Sequence, residues 1–162
     1  MVYISSDTNV WIDFYLISKT DLPFRLPYTY IMNNDAIKDE LLSPAGLGEE
    51  LIRSGLVSVE LTIEEFTLAD SYGPQYPKLS IYDRIALAIA KNQTITLLPG
   101  DRALRNAANE EQVACIETLG ILDQLLAGGY IEVEEYKYRL LEFQKINGRE
   151  VRLPKTEITL RL

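Results

Sequence analysis

A three-layer α/β fold, with a parallel five-stranded sheet between helices, is predicted for this chain of 162 residues by three observations. Five short apolar runs recur along the chain, stretches of helical period separate them, and turn-forming residues punctuate the joints. Apolar residues make up 47% of the sequence, which suits one compact domain that buries most of the surface its unfolded form exposes. With no internal repeat, low-complexity tract or linker, residues 1–162 are read as a single domain whose last part, 130–162, is a C-terminal helical extension.

The elements follow in order. VYISS (2–6) is a buried strand, and DTNVWIDFYLIS (7–18) is a helix in which Val10, Phe14 and Ile17 recur behind an Asp7 cap. YTYIM (28–32) is the second strand, NNDAIKDELL (33–42) and GLGEELIRSG (46–55) are helical, and LVSVEL (56–61) is the third strand. TIEEFTLADSY (62–72) opens a helix with a Thr-x-x-Glu capping box, and GPQYP (73–77) reads as a breaker loop. LSIYDRIALAIAKN (79–92) is a strongly apolar helix, TITLL (94–98) the fourth strand, RALRNAANE (102–110) a helix and QVACI (112–116) the fifth strand. TLGILDQLLAGG (118–129) is a helix with a glycine stop, EVEEYKYRLLEFQKI (132–146) is helical, and LPKTEITLRL (153–162) adds a short helix with Pro154 in its first turn.

The formal charge of −8 argues against a general polyanion binder, whose affinity comes from clustered Lys and Arg. Its placement softens that objection. Between Asp35 and Asp70 nine acids face two bases, so nearly all the imbalance lies there, whereas Lys137, Arg139, Lys145, Arg149, Arg152, Lys155 and Arg161 leave the tail modestly positive. Cys115 is the lone cysteine, has no internal disulfide partner and reads as a small core residue. No apolar run is long enough to cross a bilayer or to serve as a secretory leader, so the expected location is intracellular, the cytoplasm. The absence of histidine removes Ser-His and Cys-His nucleophilic triads, His-rich zinc sites and histidine acid–base chemistry.

Four acids remain as candidates for chemistry. Asp7 follows the first strand as Asp101 follows the fourth, so both emerge at the carboxyl edge of a parallel sheet, where such folds carry their ligands. On a helical wheel with Ile37 at zero, Glu40 falls near about −60°, inside the apolar arc, whereas Asp39 points away near about 200°. Asp83 lies in a first helical turn, flanked on the wheel by Ala86, Leu87 and Ala90, and should face a cleft. Each has an ordinary alternative: caps for Asp7, Asp83 and Asp101, a solvent-reaching helix end for Glu40. Converging on one edge, the four would repel one another unless a cation sat among them or a proton were taken up. Oxygen ligands without His or Cys select a hard ion, Mg²⁺ or Mn²⁺, and phosphodiester hydrolysis follows as the reaction class. Arg84, Arg102 and Arg105 stand next to these acids in sequence and are candidates to hold flanking phosphates, the alternative being surface arginines that balance local acids.

SDTNVWIDF, DEL, LSIYDRIALAIA and LLPGDRALRNAA, with the later IETLGILDQLLAGGYI, resemble in order and spacing the acidic motifs of the PIN-domain family over about residues 1 to 130. The resemblance implies a sheet of strand order 3-2-1-4-5 and a Mg²⁺- or Mn²⁺-dependent ribonuclease. It places the metal-binding, catalytic acids at Asp7, Glu40, Asp83 and Asp101 and gives Asn9 a part in ordering the site. It also implies an RNA substrate and, by analogy with small VapC-type toxins, a homodimer silenced by a cognate antitoxin. Two positions depart from the pattern: Pro99 stands where the family often has Thr or Ser, and Glu117 where a Gly is common. They leave open a PIN module that binds RNA or a protein partner and cuts weakly or not at all. A phosphatase of the haloacid-dehalogenase type ranks lower, because it needs a second Asp two residues after the first and position 9 is Asn. The tyrosines, Tyr28, Tyr30, Tyr130, Tyr136 and Tyr138 among them, are assigned to packing before base stacking.

Overall fold

The structure is a computed structural model in which every residue except Ser43 and Glu150 is described. Strand β1 (Val2–Ser6) leads into helix α1 (Thr8–Leu16), and a 3₁₀ turn at Pro23–Arg25 precedes β2 (Tyr28–Asn33). Then come α2 (Asn34–Glu40), α3 (Leu47–Ser54), β3 (Val57–Val59), α4 (Ile63–Gln75), α5 (Ile81–Gln93), β4 (Thr96–Leu98) and α6 (Arg102–Glu110). The chain closes with α7 (Thr118–Ala127), α8 (Val133–Ile146) and α9 (Lys155–Arg161). The sheet is parallel, in the order β3-β2-β1-β4.

Period-two alternation sends side chains of β2 and β4 to opposite faces. Tyr30, Met32 and Leu98 join Val10, Trp11 and Phe14 of α1 and Leu122 and Leu125 of α7 in one core, which Tyr136, Leu140, Phe143, Val151 and Ile158 of the C-terminal part extend. Ile31 and Leu97 face a second core, built from Tyr72 of α4, the apolar run of α5 and Leu104 of α6. Helices therefore cover both faces, as near-continuously apolar parallel strands require. Three of the tyrosines in question pack: Tyr30 is buried and donates to Pro23 O at 2.7 Å, Tyr28 reaches Gln124, and Tyr136 donates to Asp123 Oδ1 at 2.6 Å, whereas Tyr130 and Tyr138 are exposed.

Three expectations are corrected. The sheet has four strands, not five: the QVACI run contributes one parallel bridge, Leu97 to Cys115, with Leu97 N–H donating to Ala114 O at 2.8 Å and Ile116 N–H to Leu97 O at 2.9 Å. Both ends of that run are claimed by helices, since Val113 N–H still bonds Ala108 O at the end of α6 and Glu117 is already the N-cap of α7. TITLL likewise loses two residues, because Thr94, at φ 55°, caps α5 and Ile95 N–H bonds Ala90 O. Third, GPQYP does not break the chain at its start, for α4 runs through Gly73 and Pro74 to Gln75. A proline in the last turn removes one amide bond where few remain.

Candidate metal centre

Asp7 is set by the β1–β4 pairing. Its own N–H donates to Leu98 O at 3.1 Å, and its Oδ2 accepts from Gly100 N–H at 3.1 Å. The tolerance there is small. A Cβ on Gly100 would stand 2.3 Å from Asn9 Cβ and 2.6 Å from Asp7 Oδ2, so only glycine lets this loop close over the carboxylate. Asp83 sits in the first turn of α5 inside a reciprocal capping box, its Oδ2 accepting from Ser80 N–H and Ser80 Oγ from Asp83 N–H, both at 3.1 Å. Asp101 caps α6, its Oδ1 accepting from Leu104 N–H at 2.8 Å.

Capping and convergence coexist for Asp83 and Asp101, whereas Asp7 stands at the N-cap position of α1 without a side-chain cap bond. One carboxylate oxygen from each of Asp7, Asp83 and Asp101 lies within 4.8 Å of the others. Asp7 is 4% and Asp83 8% exposed. Burial, followed by the charges of Asp83, Asp101 and Glu40, pushes the Asp7 carboxyl well above the usual range, against a lowering by the Thr8 backbone. Burial also raises Asp83, with the charge of Asp101 next, while hydrogen bonds from Ser80 work the other way. Bringing these groups together stores electrostatic tension that a cation or a proton must relieve.

The other predicted residues divide. Glu40 is not in the close set; its Oε1 accepts a 2.6 Å hydrogen bond from Thr8 Oγ1, beside Asp7, and its charge still acts on Asp7 and Asp83. Its neighbour Asp39 points outward and accepts from Tyr82, as the wheel predicts. Asn9 is exposed and backs onto Gly100. Arg102 and Arg105 line a groove that includes Asp101, and Arg105 pairs with Glu117 at 2.8 Å. Arg84 does not face the acids: its Nε bonds Ser80 O at 3.4 Å and its guanidinium covers Gly73 of α4, because the next residue on a helix after Asp83 turns about 100° away. Thr8 and Gly100 were not predicted, and neither carries a charge to mark it; Gly100 is signalled only by the Pro-Gly turn.

These features define a class before they define a family: a parallel α/β sheet that gathers carboxylates at the carboxyl ends of β1 and β4. A family model described as "DUF3368: PIN domain" matches residues 3–159, and the chain belongs to the PIN-domain family, whose members are generally nucleases. No curated protein and no solved structure matches the chain. Among the described residues, no helix is long and apolar enough to cross a membrane.

Proposed function

We propose that this protein is a Mg²⁺- or Mn²⁺-dependent endoribonuclease, with Asp7, Asp83 and Asp101 as metal ligands and Glu40 as a supporting acid held beside them by Thr8. One observation carries the reading: three carboxylates from residues 7, 83 and 101 meet within 4.8 Å, and burial with the neighbouring charges disfavours the charged forms of Asp7 and Asp83. The donor set fits the ion. All ligands are oxygens, and Asp7, Asp83 and Asp101 would hold a hard cation of the Mg²⁺ or Mn²⁺ kind. When bound, such an ion supplies Lewis-acid stabilisation of phosphoryl oxygens and a water of lowered pKa.

The chain supplies the rest. Gly100 N–H and the strand pairing fix Asp7, a capping box fixes Asp83, the N-cap bond to Leu104 fixes Asp101, and Arg102, in the wall of the adjoining groove, is placed to meet a flanking phosphate. Titration calorimetry tests the ligand assignment: Asp7→Asn and Asp83→Asn should weaken Mn²⁺ binding about tenfold or more. Variants that bind like the parent would overturn it. RNA cleavage by the parent should stop in EDTA, and a protein that binds RNA but cuts it in neither condition is the non-catalytic PIN module instead. The toxin role, with its homodimer and cognate antitoxin in the cytoplasm, extends the same reading. It requires growth arrest on expression, relieved by a neighbouring gene product, and a dimer by light scattering.

A further inference from the structure

Beside the three acids lies a groove of about 350 Å³, within the range of small-ligand sites. Asp101 belongs both to the acidic set and to the groove wall, so the two are continuous. The stretch from Asp101 to Arg105 forms one side, Glu117 another, and Asn147, Gly148 and residues 152–154 of the C-terminal segment the third. Arg102, Arg105 and Arg152 all line it.

The turn that carries Arg152 is firmly built. The Asn147 side chain donates to Leu153 O at 3.0 Å and accepts from Leu153 N–H at 2.8 Å. Gly148 N–H donates to Val151 O at 2.7 Å, and Val151 is fully buried. Arg152 therefore leaves a pinned backbone between two anchored residues. Opposite it, Glu117 Oε1 holds Arg105 Nη1 at 2.8 Å.

We infer that Arg152, supplied by the C-terminal segment, binds a backbone phosphate of the RNA strand adjacent to the one at the acids, and that Glu117 competes with that strand for Arg105. The inference rests on the nuclease reading for the class of ligand. A guanidinium fork matches a phosphate in two parallel hydrogen bonds, whereas a carboxylate on the same wall repels it. Among the described residues the groove thus holds Arg105 occupied by Glu117, with Arg102 and Arg152 in the same wall, and a strand entering it must displace Glu117 to engage Arg105.

Fluorescence anisotropy of a labelled single-stranded RNA of about 12 nucleotides tests this. Ca²⁺ is present as the hard dication, and the probe is checked intact on a gel. Arg152→Ala should weaken binding about fivefold and flatten the slope of log affinity against log salt by about 0.7, one phosphate contact on a single strand. Arg152→Lys should keep the slope, and Glu117→Gln should tighten binding. Because Arg152 is exposed, the alanine variant should melt with the parent, which separates lost contact from lost fold. Parent affinity and slope in Arg152→Ala overturn the inference and leave the nuclease reading standing. Binding that depends on Arg152 in a protein that takes up no Mn²⁺ and cuts nothing would do the reverse.

Discussion

Asp13 carries the most unusual charge outside the acidic set. It lies in the middle of α1, 6% exposed, and its carboxylate accepts from Thr118 Oγ1 at 3.3 Å. Burial raises its pKa to about 7, against the lowering by Thr118. Folded chains therefore keep this proton where unfolded chains, titrating near 3.8, have lost it. The stability tied to Asp13 is complete below about pH 4, declines toward about pH 7 and is flat above. Asp13→Asn stays neutral throughout, so its gain in stability over the parent should be near zero at about pH 4 and reach at most about 4 kcal/mol at about pH 8. Melting both proteins across that range checks it, and parallel curves would count against it. Gly100→Ala should cost about 1–3 kcal/mol in thermal unfolding and also weaken Mn²⁺ binding, because the added methyl displaces the loop holding Asp7. At this scale much is legible in the sequence. Asp7, Asp83 and Asp101 stand at element boundaries, which local pattern marks. Wheel arithmetic separates Glu40 from Asp39, and it also puts Asp13 about 60° from Val10, beside the apolar arc. What it does not convey is Thr8 standing between Glu40 and Asp7, or Arg152 sharing a groove with Arg105, since both depend on long-range packing.

Helices α4 and α5 are joined by one buried acid. Glu65, 1% exposed, completes the capping box with Thr62 and accepts from Asn92 Nδ2 at 3.3 Å and Gln93 Nε2 at 3.0 Å at the far end of α5. Burial alone would raise its pKa, but the donors from Gln93, Thr62 and Asn92 prevail and hold it low. Its contribution is therefore present above the unfolded pKa and lost as acid brings the pH through the folded value. Thr62→Ala should cost about 1 kcal/mol. Glu65→Ala should cost more, about 1–3 kcal/mol, because it also strands the donors from α5. Urea denaturation of both variants gives the order, and a Glu65 variant as stable as the Thr62 one would contradict it. Elements defined by local chemistry, such as this capping box and RALRNAANE, read directly from the sequence. QVACI does not, because its apolar residues fit a strand while the caps of α6 and α7 take its ends. Pro74 misleads for a related reason: proline ends a helix only where turns remain to be broken.

Across the whole molecule, the C-terminal part is joined to the fold rather than appended to it. Tyr136, Leu140, Phe143, Val151 and Ile158 are all buried in the core under α1 and α7, with Phe143 against Phe14 at 5.8 Å between ring centres. At about 1.5–3 kcal/mol per large apolar side chain, their burial is comparable to the entire stability of a domain of this size, about 5–15 kcal/mol. A chain ended after Tyr130 should therefore lose cooperative unfolding, and calorimetry showing an intact two-state transition would refute this. That dependence was not readable from residues 130–162 alone, whose amphipathic pattern marks a helix without saying what it covers. The β1–β4 pairing has another consequence. Synthesis runs from Asp7 toward its two companions, Asp83 and Asp101, and the amide that steadies Asp7 belongs to Gly100, late in that same order. A nascent chain that stops between Asp7 and Asp83 therefore has the first acid and neither companion, so the cleft assembles only once synthesis has passed Asp101.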